Sequence, residues 1–159
     1  MRVHTLEREQ RLPGPPEQAF GFFGDAANLA AITPGWLSFR ILSPEPIDMR
    51  AGTLLDYRIT LHGVPVRWRT RIESWDPPLR FTDRQIRGPY RLWHHTHTFE
   101  RGGEETLMRD VVRYALPLGP LGAIAHVAFV RRDLERIFAF RQQAVERLMA
   151  SSGTPRFTK

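Results

Sequence analysis

Residues 88–100 read GPYRLWHHTHTFE and place His94, His95 and His97, three of the chain's six histidines, within four positions. An imidazole can carry a proton near neutral pH, ligate a metal, or close a buried hydrogen-bond network. Side chains alternate between faces along a strand, so Trp93, His95, His97 and Phe99 share one side of this stretch. His94 falls on the opposite side, points outward and needs no function. The neighbouring strands supply carboxylates. A tight turn at Gly102-Gly103 puts Phe99 opposite Thr106, His97 opposite Met108 and His95 opposite Asp110. A turn around Gly88-Pro89 brings Asp83 near His95. The outcome is a row of Asp83, His95 and Asp110 across three strands, with His97 two residues along and Gln85 and Thr70 nearby.

Four kinds of chemistry suit such a row. A carboxylate–imidazole pair satisfies both partners and can fix strand register as a purely structural network. The same groups can hold the polar end of an apolar ligand whose body rests on aromatic side chains. His95 can act as a general acid–base, oriented by Asp110 or Asp83. Finally, His95-x-His97 with one aspartate approaches a two-histidine, one-carboxylate metal centre. The H-x-H spacing differs from that of the cupin barrels: Gly88 stands seven residues before His95, and Glu100 follows His97 after two. No metal or cofactor is therefore assigned. The chain has no G-x-S-x-G, no glycine-rich phosphate loop and no C-x-x-C.

The elements that must position these groups follow from periodicity. Residues 3–12 alternate as a strand, stopped by Pro13-Gly14-Pro15-Pro16. Two short helices follow, one over 17–23 and one capped by Asp25 and running to about Ile32. Strands are expected at 38–42, 53–63, 66–75, 79–88, 90–100 and 105–117, joined by short turns such as Gly63-Val64-Pro65. Arg67, Arg69 and Arg71 want water, so Trp68, Thr70 and Ile72 point inward. By the same logic Met108, Asp110, Val112 and Tyr114 point inward. After Pro117 the apolar period becomes helical over 121–149. A curved antiparallel sheet covered by one long amphipathic helix is an α+β domain, here spanning 1–150 with a flexible tail at 151–159.

Bulk properties agree with one such domain. Hydrophobic residues make up 42% of the 159 and charged residues 25%, a profile suited to a globular protein. Without cysteine, disulfides and thiolate chemistry are excluded, which fits a cytoplasmic setting. MRVHTLEREQ lacks the apolar core of a secretory leader, and the run LGAIAHVAFV at 121–130 is too short to span a bilayer. The net charge is +6, and Lys159 is the only lysine. The arginines are dispersed and accompany no base-reading motif, so no nucleic-acid partner is expected. They would suit a transient contact with acidic lipid head groups. The sequence assigns no oligomeric state.

Taken together, these segments resemble the START/Bet v 1-like (SRPBCC) helix-grip superfamily, in its bacterial polyketide cyclase/dehydrase-like branch. The resemblance covers about Val3 to Met149. It is carried by Pro16-Glu17 through Phe23-Gly24-Asp25, Ile32-Thr33-Pro34, and Gly63-Val64-Pro65 with Trp68. Trp75-Pro77-Pro78-Leu79-Arg80-Phe81 and Asp83-Gln85-Gly88-Pro89-Tyr90-Trp93-His95-His97-Phe99 complete it. The resemblance implies a cavity between sheet and C-terminal helix that takes a lipid, polyketide or quinone-like molecule. Expected lining residues are Tyr57, Trp68, Thr70, Asp83, Gln85 and Trp93, together with His95, His97, Phe99, Met108 and Asp110. If the protein is instead a cyclase or dehydratase, His95 and Asp110 form its acid–base pair. A quinone or lipid chaperone at a membrane surface is the third expectation.

Overall fold

Arginine and apolar residues alternate through the long middle segment, and the structure turns that alternation into a sheet with one wet and one dry face. In the computed structural model, which describes residues 1–152, the chain runs β1 (His4–Pro13), α1 (Pro16–Phe23), β2 (Arg40–Ile41), β3 (Leu54–Leu61), β4 (Val64–Asp76), β5 (Arg80–Arg87), β6 (Leu92–Gly102), β7 (Glu105–Ala115), α2 (Gly119–Ala125) and α3 (Arg131–Ser152). Two 3-10 turns, Ala26–Ile32 and Gly35–Leu37, follow α1, and a π segment, His126–Val130, joins α2 to α3. The seven strands form one antiparallel sheet in the order β1-β7-β6-β5-β4-β3-β2. This is the expected helix-grip arrangement: a curved sheet wrapped about a long C-terminal helix.

The local devices are chemical. Pro16 opens α1 at a position whose N–H would be unpaired in any case. Asp25 accepts the Ala27 N–H at 3.0 Å and caps the next turn, which winds as 3-10 rather than α. The expected long helix over 121–149 is interrupted by the π segment at His126–Val130. Its last part continues to Ser152, past the expected boundary at 150, and the rest of the expected tail, 153–159, lies outside the described residues.

Two turns differ from expectation. The β3–β4 turn centres on His62 and Gly63, at φ 47° and 79°. Positive φ at both central residues is the type I′ geometry that matches strand twist. Val64 and Pro65 therefore belong to β4, where Pro65 faces Thr60. The β6–β7 turn centres on Gly103 and Glu104, because Gly102 still pairs with Glu105. Moving the centre by one residue moves every partner by two. Phe99 thus faces Met108, His97 faces Asp110 and His95 faces Val112. The expected pairs Phe99–Thr106, His97–Met108 and His95–Asp110 are corrected accordingly. An even shift preserves the faces, so the inward set stands.

The interior has two unlike halves. One is packed by Phe20, Ile32, Phe99, Met108, Val145 and Met149, among others, with Phe23 and Phe81 at its border with the other half. The other is walled by Ile59, Trp68, Trp93, Leu134 and Phe138, with Tyr114 packed behind them. It borders a partly open cavity of about 170 Å³.

Candidate functional site

β5, β6 and β7 are neighbours, so residues two apart on β6 can meet both flanking strands at once. Asp83 on β5 stands opposite His95, and Asp110 on β7 stands opposite His97. Each carboxylate also reaches the diagonal imidazole. His95 Nε2 lies 3.0 Å from Asp110 Oδ1, and His97 Nδ1 lies 2.7 Å from the same oxygen. On the other side, His97 Nε2 is 3.2 Å from Asp83 Oδ2, and His95 Nδ1 is 3.7 Å from it. The imidazoles lie 3.8 Å apart between centroids. Two histidines and two aspartates therefore close a ring in which each imidazole bridges both carboxylates.

Not every edge of the ring is a hydrogen bond. His95 Nε2 pairs with Asp110 and His97 Nε2 with Asp83 at hydrogen-bond geometry. His97 Nδ1 is close to Asp110 but off the line of a bond, and it is buried. His95 Nδ1 has Asp83 only at 3.7 Å. The quartet sits at the border of the two interior halves. His97 stacks on Phe81, with centroids 4.2 Å apart, while His95 meets Phe138 edge-on at 5.6 Å.

Burial and mutual charge set the protonation states. Burial alone would raise Asp110, but the His97 and His95 imidazoles outweigh it and hold its carboxyl well below the usual range. Asp83 follows the same balance and is also lowered. His97 is pushed up, because Asp110 and Asp83 overcome the cost of burying its charge. His95 is pushed down by burial and by the neighbouring His97 charge. One cationic and one neutral imidazole between two carboxylates is the arrangement these shifts favour.

The cavity wall contains Tyr57, Trp68, Thr70, Asp83, Trp93, His95 and His97, seven of the eleven expected residues. The other four do not line it. Gln85 turns back to donate to the Tyr90 carbonyl at 2.6 Å. Phe99 and Met108 belong to the other half of the interior, where Met108 borders only a gap of about 10 Å³. Asp110 lies behind the imidazoles, against a gap of about 10 Å³ that holds at most one water. As expected, His94 is on the other face, 2.9 Å from Glu73.

Sequence reasoning missed Arg141. It comes from α3, lines the cavity, and has its guanidinium 5.6 Å from the Phe23 ring and 5.9 Å from the Phe138 ring. Its charge helps to lower Asp83. Its buried Nε makes no hydrogen bond, and neither does the Thr70 hydroxyl. A signal was present: Leu134, Phe138, Arg141 and Val145 follow the i, i+4, i+7, i+11 spacing of one helix face. A charged residue on that stripe must enter the interior. Tyr90 was also missed; it lines the cavity, and its phenol is pushed up by burial.

The family model for polyketide cyclase / dehydrase and lipid transport matches residues 12–140. Among solved structures, the Zhui aromatase/cyclase from Streptomyces sp. R1128 superposes with a TM-score of 0.77 at 13% identity, covering 99% of this chain and 100% of that one. The protein TTHA0849 from Thermus thermophilus gives 0.75 at 20% identity, covering 95% of this chain and 100% of its own. A Thalictrum flavum norcoclaurine synthase point mutant, in complex with a transition-state analogue, gives 0.70 at 13% identity, covering 96% and 98%. No curated protein matches the sequence. At these identities the structural likenesses establish the fold.

Proposed function

The chain belongs to the polyketide cyclase / dehydrase and lipid transport family, and from that premise we propose that it binds a hydrophobic small molecule in the cavity between the sheet and α3. The observation that carries this is the composition of one wall. Aromatic and aliphatic side chains enclose most of the space, while Asp83, His95, His97, Thr70 and Arg141 converge on one region. A pocket that is mostly apolar with a few placed polar groups selects an apolar body with an oriented head. Orphaned donors at Arg141 Nε and Thr70 Oγ1 offer that head new hydrogen bonds. The volume of about 170 Å³ accepts a single substituted ring or a short acyl chain. A longer lipid, polyketide or quinone-like molecule extends toward the second apolar recess, which shares Leu61, Tyr90, Leu134 and Ile137 with the first.

The experiment is native mass spectrometry of the protein taken from lysate, paired with quenching of the Trp68 and Trp93 fluorescence by short-chain and single-ring amphiphiles. A co-purified apolar molecule, and saturable quenching lost in Trp68→Ala, are the expected results. A bare protein with no saturable quenching by any amphiphile overturns the proposal.

One observation favours a catalytic variant. His95 Nε2 is fixed by Asp110, while Nδ1 makes no hydrogen bond, and burial keeps the ring neutral. That is how an oriented general base is built. In this variant His95 takes a proton from a cyclising or dehydrating substrate and Asp110 steadies the imidazolium. Turnover lost in His95→Gln with binding retained supports it; binding with no turnover in the wild type sinks it.

A further inference from the structure

The four groups at the cavity floor are more than the two a satisfied ion pair needs. One ligand atom from each of Asp83, His95 and His97 lies within 4.8 Å of both others. Two of these edges are known in detail: Asp83 Oδ2 is 3.2 Å from His97 Nε2 and 3.7 Å from His95 Nδ1. Ligands held about 2.1 Å from one metal, at angles between right and tetrahedral, stand about 3.0–3.5 Å apart. The His97 edge falls within that spacing, and the His95 edge is slightly longer, so the three donors need to close only a little around an ion. An independent feature points the same way. The far nitrogens, His95 Nε2 and His97 Nδ1, both face Asp110 Oδ1, at 3.0 and 2.7 Å. Asp110 hydrogen-bonds His95 Nε2 and stands beside His97 Nδ1 off the line of a bond; a carboxylate bonded behind a ligating imidazole fixes its tautomer and orientation, as in carboxylate–histidine–metal arrangements. Asp83, His95 and His97 all line the cavity, whereas Asp110 does not. Three donors would thus face a shared point from one side, leaving the remaining coordination positions open to the cavity.

We propose that Asp83, His95 and His97 form a mononuclear site for a divalent first-row transition ion whose open face looks into the cavity. Asp110 is a positioning residue for the His95 imidazole. The ligand set of two imidazoles and one carboxylate suits Zn²⁺, Fe²⁺ or Co²⁺ rather than Ca²⁺ or Mg²⁺. A dication would also offset the two interior carboxylates. The assignment stands apart from the ligand-binding proposal, because it is tested with the metal alone.

The test is titration of the chelator-treated, dialysed full chain with Co²⁺, followed by visible absorption and calorimetry. One Co²⁺ per chain is expected, with ligand-field bands displaced by Zn²⁺. Asp83→Asn and His97→Gln should each abolish the bands. Asp110→Asn should weaken binding about 10–100-fold and also shift the bands, which a purely structural role would not do. The surface pairs His62–Asp133 and His94–Glu73 are the competing sites. His62→Ala/His94→Ala should leave stoichiometry and spectrum unchanged. Should the Asp83 and His97 variants not fold, proton NMR of the Co²⁺-loaded wild type decides: hyperfine-shifted signals from two imidazoles are expected. Absence of saturable binding, a spectrum indifferent to Asp83→Asn, or loss of the site in the surface variant overturns the assignment.

Discussion

Replacing Asp110 by asparagine tests how tightly the interior depends on the quartet. The carboxylate lies 3.0 Å from one imidazole nitrogen and 2.7 Å from another, and the two histidine side chains are only 5% and 3% exposed. The amide keeps the shape and removes the charge. His97 then loses its main reason to be protonated, and a buried polar ring is left with Asp83 as its sole anion. Breaking a buried pair by removing one charged partner costs about 3–5 kcal/mol. The amide can still hydrogen-bond, so we expect about 3–4 kcal/mol. With a urea slope of about 2 kcal/mol per M, the unfolding midpoint falls by about 1.5–2 M. The assay is urea denaturation of chelator-treated protein, followed by tryptophan fluorescence. Asp56→Asn, at the exposed Arg69 pair 2.7 Å away, is the control and should shift the midpoint by less than about 0.5 M. A shift for Asp110→Asn no larger than that control would refute the view that the quartet stabilises the fold.

Other outcomes follow from the same coordinates. Below the ordinary carboxylate value of 3.8, the wild type should lose stability steeply, because Asp110 is lowered when folded and its contribution disappears as pH falls through that folded value. His97, being raised, contributes fully below 6.5 and loses its contribution as pH rises through its folded value, while the lowered His95 has the opposite sense. The acid limb of urea stability against pH should therefore be shallower in Asp110→Asn, and equal slopes would contradict the assignment. Phe99→Ala, in the filled half, should cost about 3–5 kcal/mol while leaving amphiphile affinity within threefold in the folded fraction; a large affinity loss would place Phe99 in the binding wall after all. Arg141→Met keeps the apolar stem and should weaken carboxylate-headed amphiphiles tenfold or more, but not their neutral amides; equal weakening of both would deny the guanidinium a role in the head-group contact. Leu121 and Ile124 are each 67% exposed, so Leu121→Ser/Ile124→Ser should change stability by less than about 0.5 kcal/mol and reduce co-sedimentation with anionic vesicles. Unchanged sedimentation would deny these two exposed side chains any part in a membrane contact.

The faces of the sheet were legible because alternation is enforced by the backbone itself. Arg67, Arg69 and Arg71 had to take one side of β4, and Trp68, Thr70 and Ile72 the other. Which residues meet across strands was less legible, because one residue of difference at a turn centre moves each partner by two. Gly102-Gly103 offered two glycines and hence two possible centres; the structure uses Gly103 at φ 69°. That choice gives Asp110 to His97 as well as His95 and converts a row into a closed quartet. The lining of the cavity was least legible, since facing inward does not distinguish a filled interior from a hollow one. Trp93 and Phe99 share a face of β6, yet only Trp93 meets the cavity.

What separates them is the helix above. Over the filled end, α3 presents Ala144, Val145 and Met149, which pack with Phe99 and Met108 and with the phenylalanines of α1. Over the hollow end it presents Leu134 and Phe138 to Trp68 and Trp93, and the 3-10 turns contribute only Leu37 to that group. No counterpart of α1 fills that end among the described residues. Arg141 falls between the two sets, at the same level as the histidines. An arginine on an apolar helix stripe would destabilise a sealed core, because its charge and donors would be buried without partners. Here it faces Asp83 across a space that a polar head group or a metal-bound ligand can enter. The position of that one arginine ties the hollow half of the interior to the quartet, which is the arrangement the proposed binding of a polar-headed ligand requires.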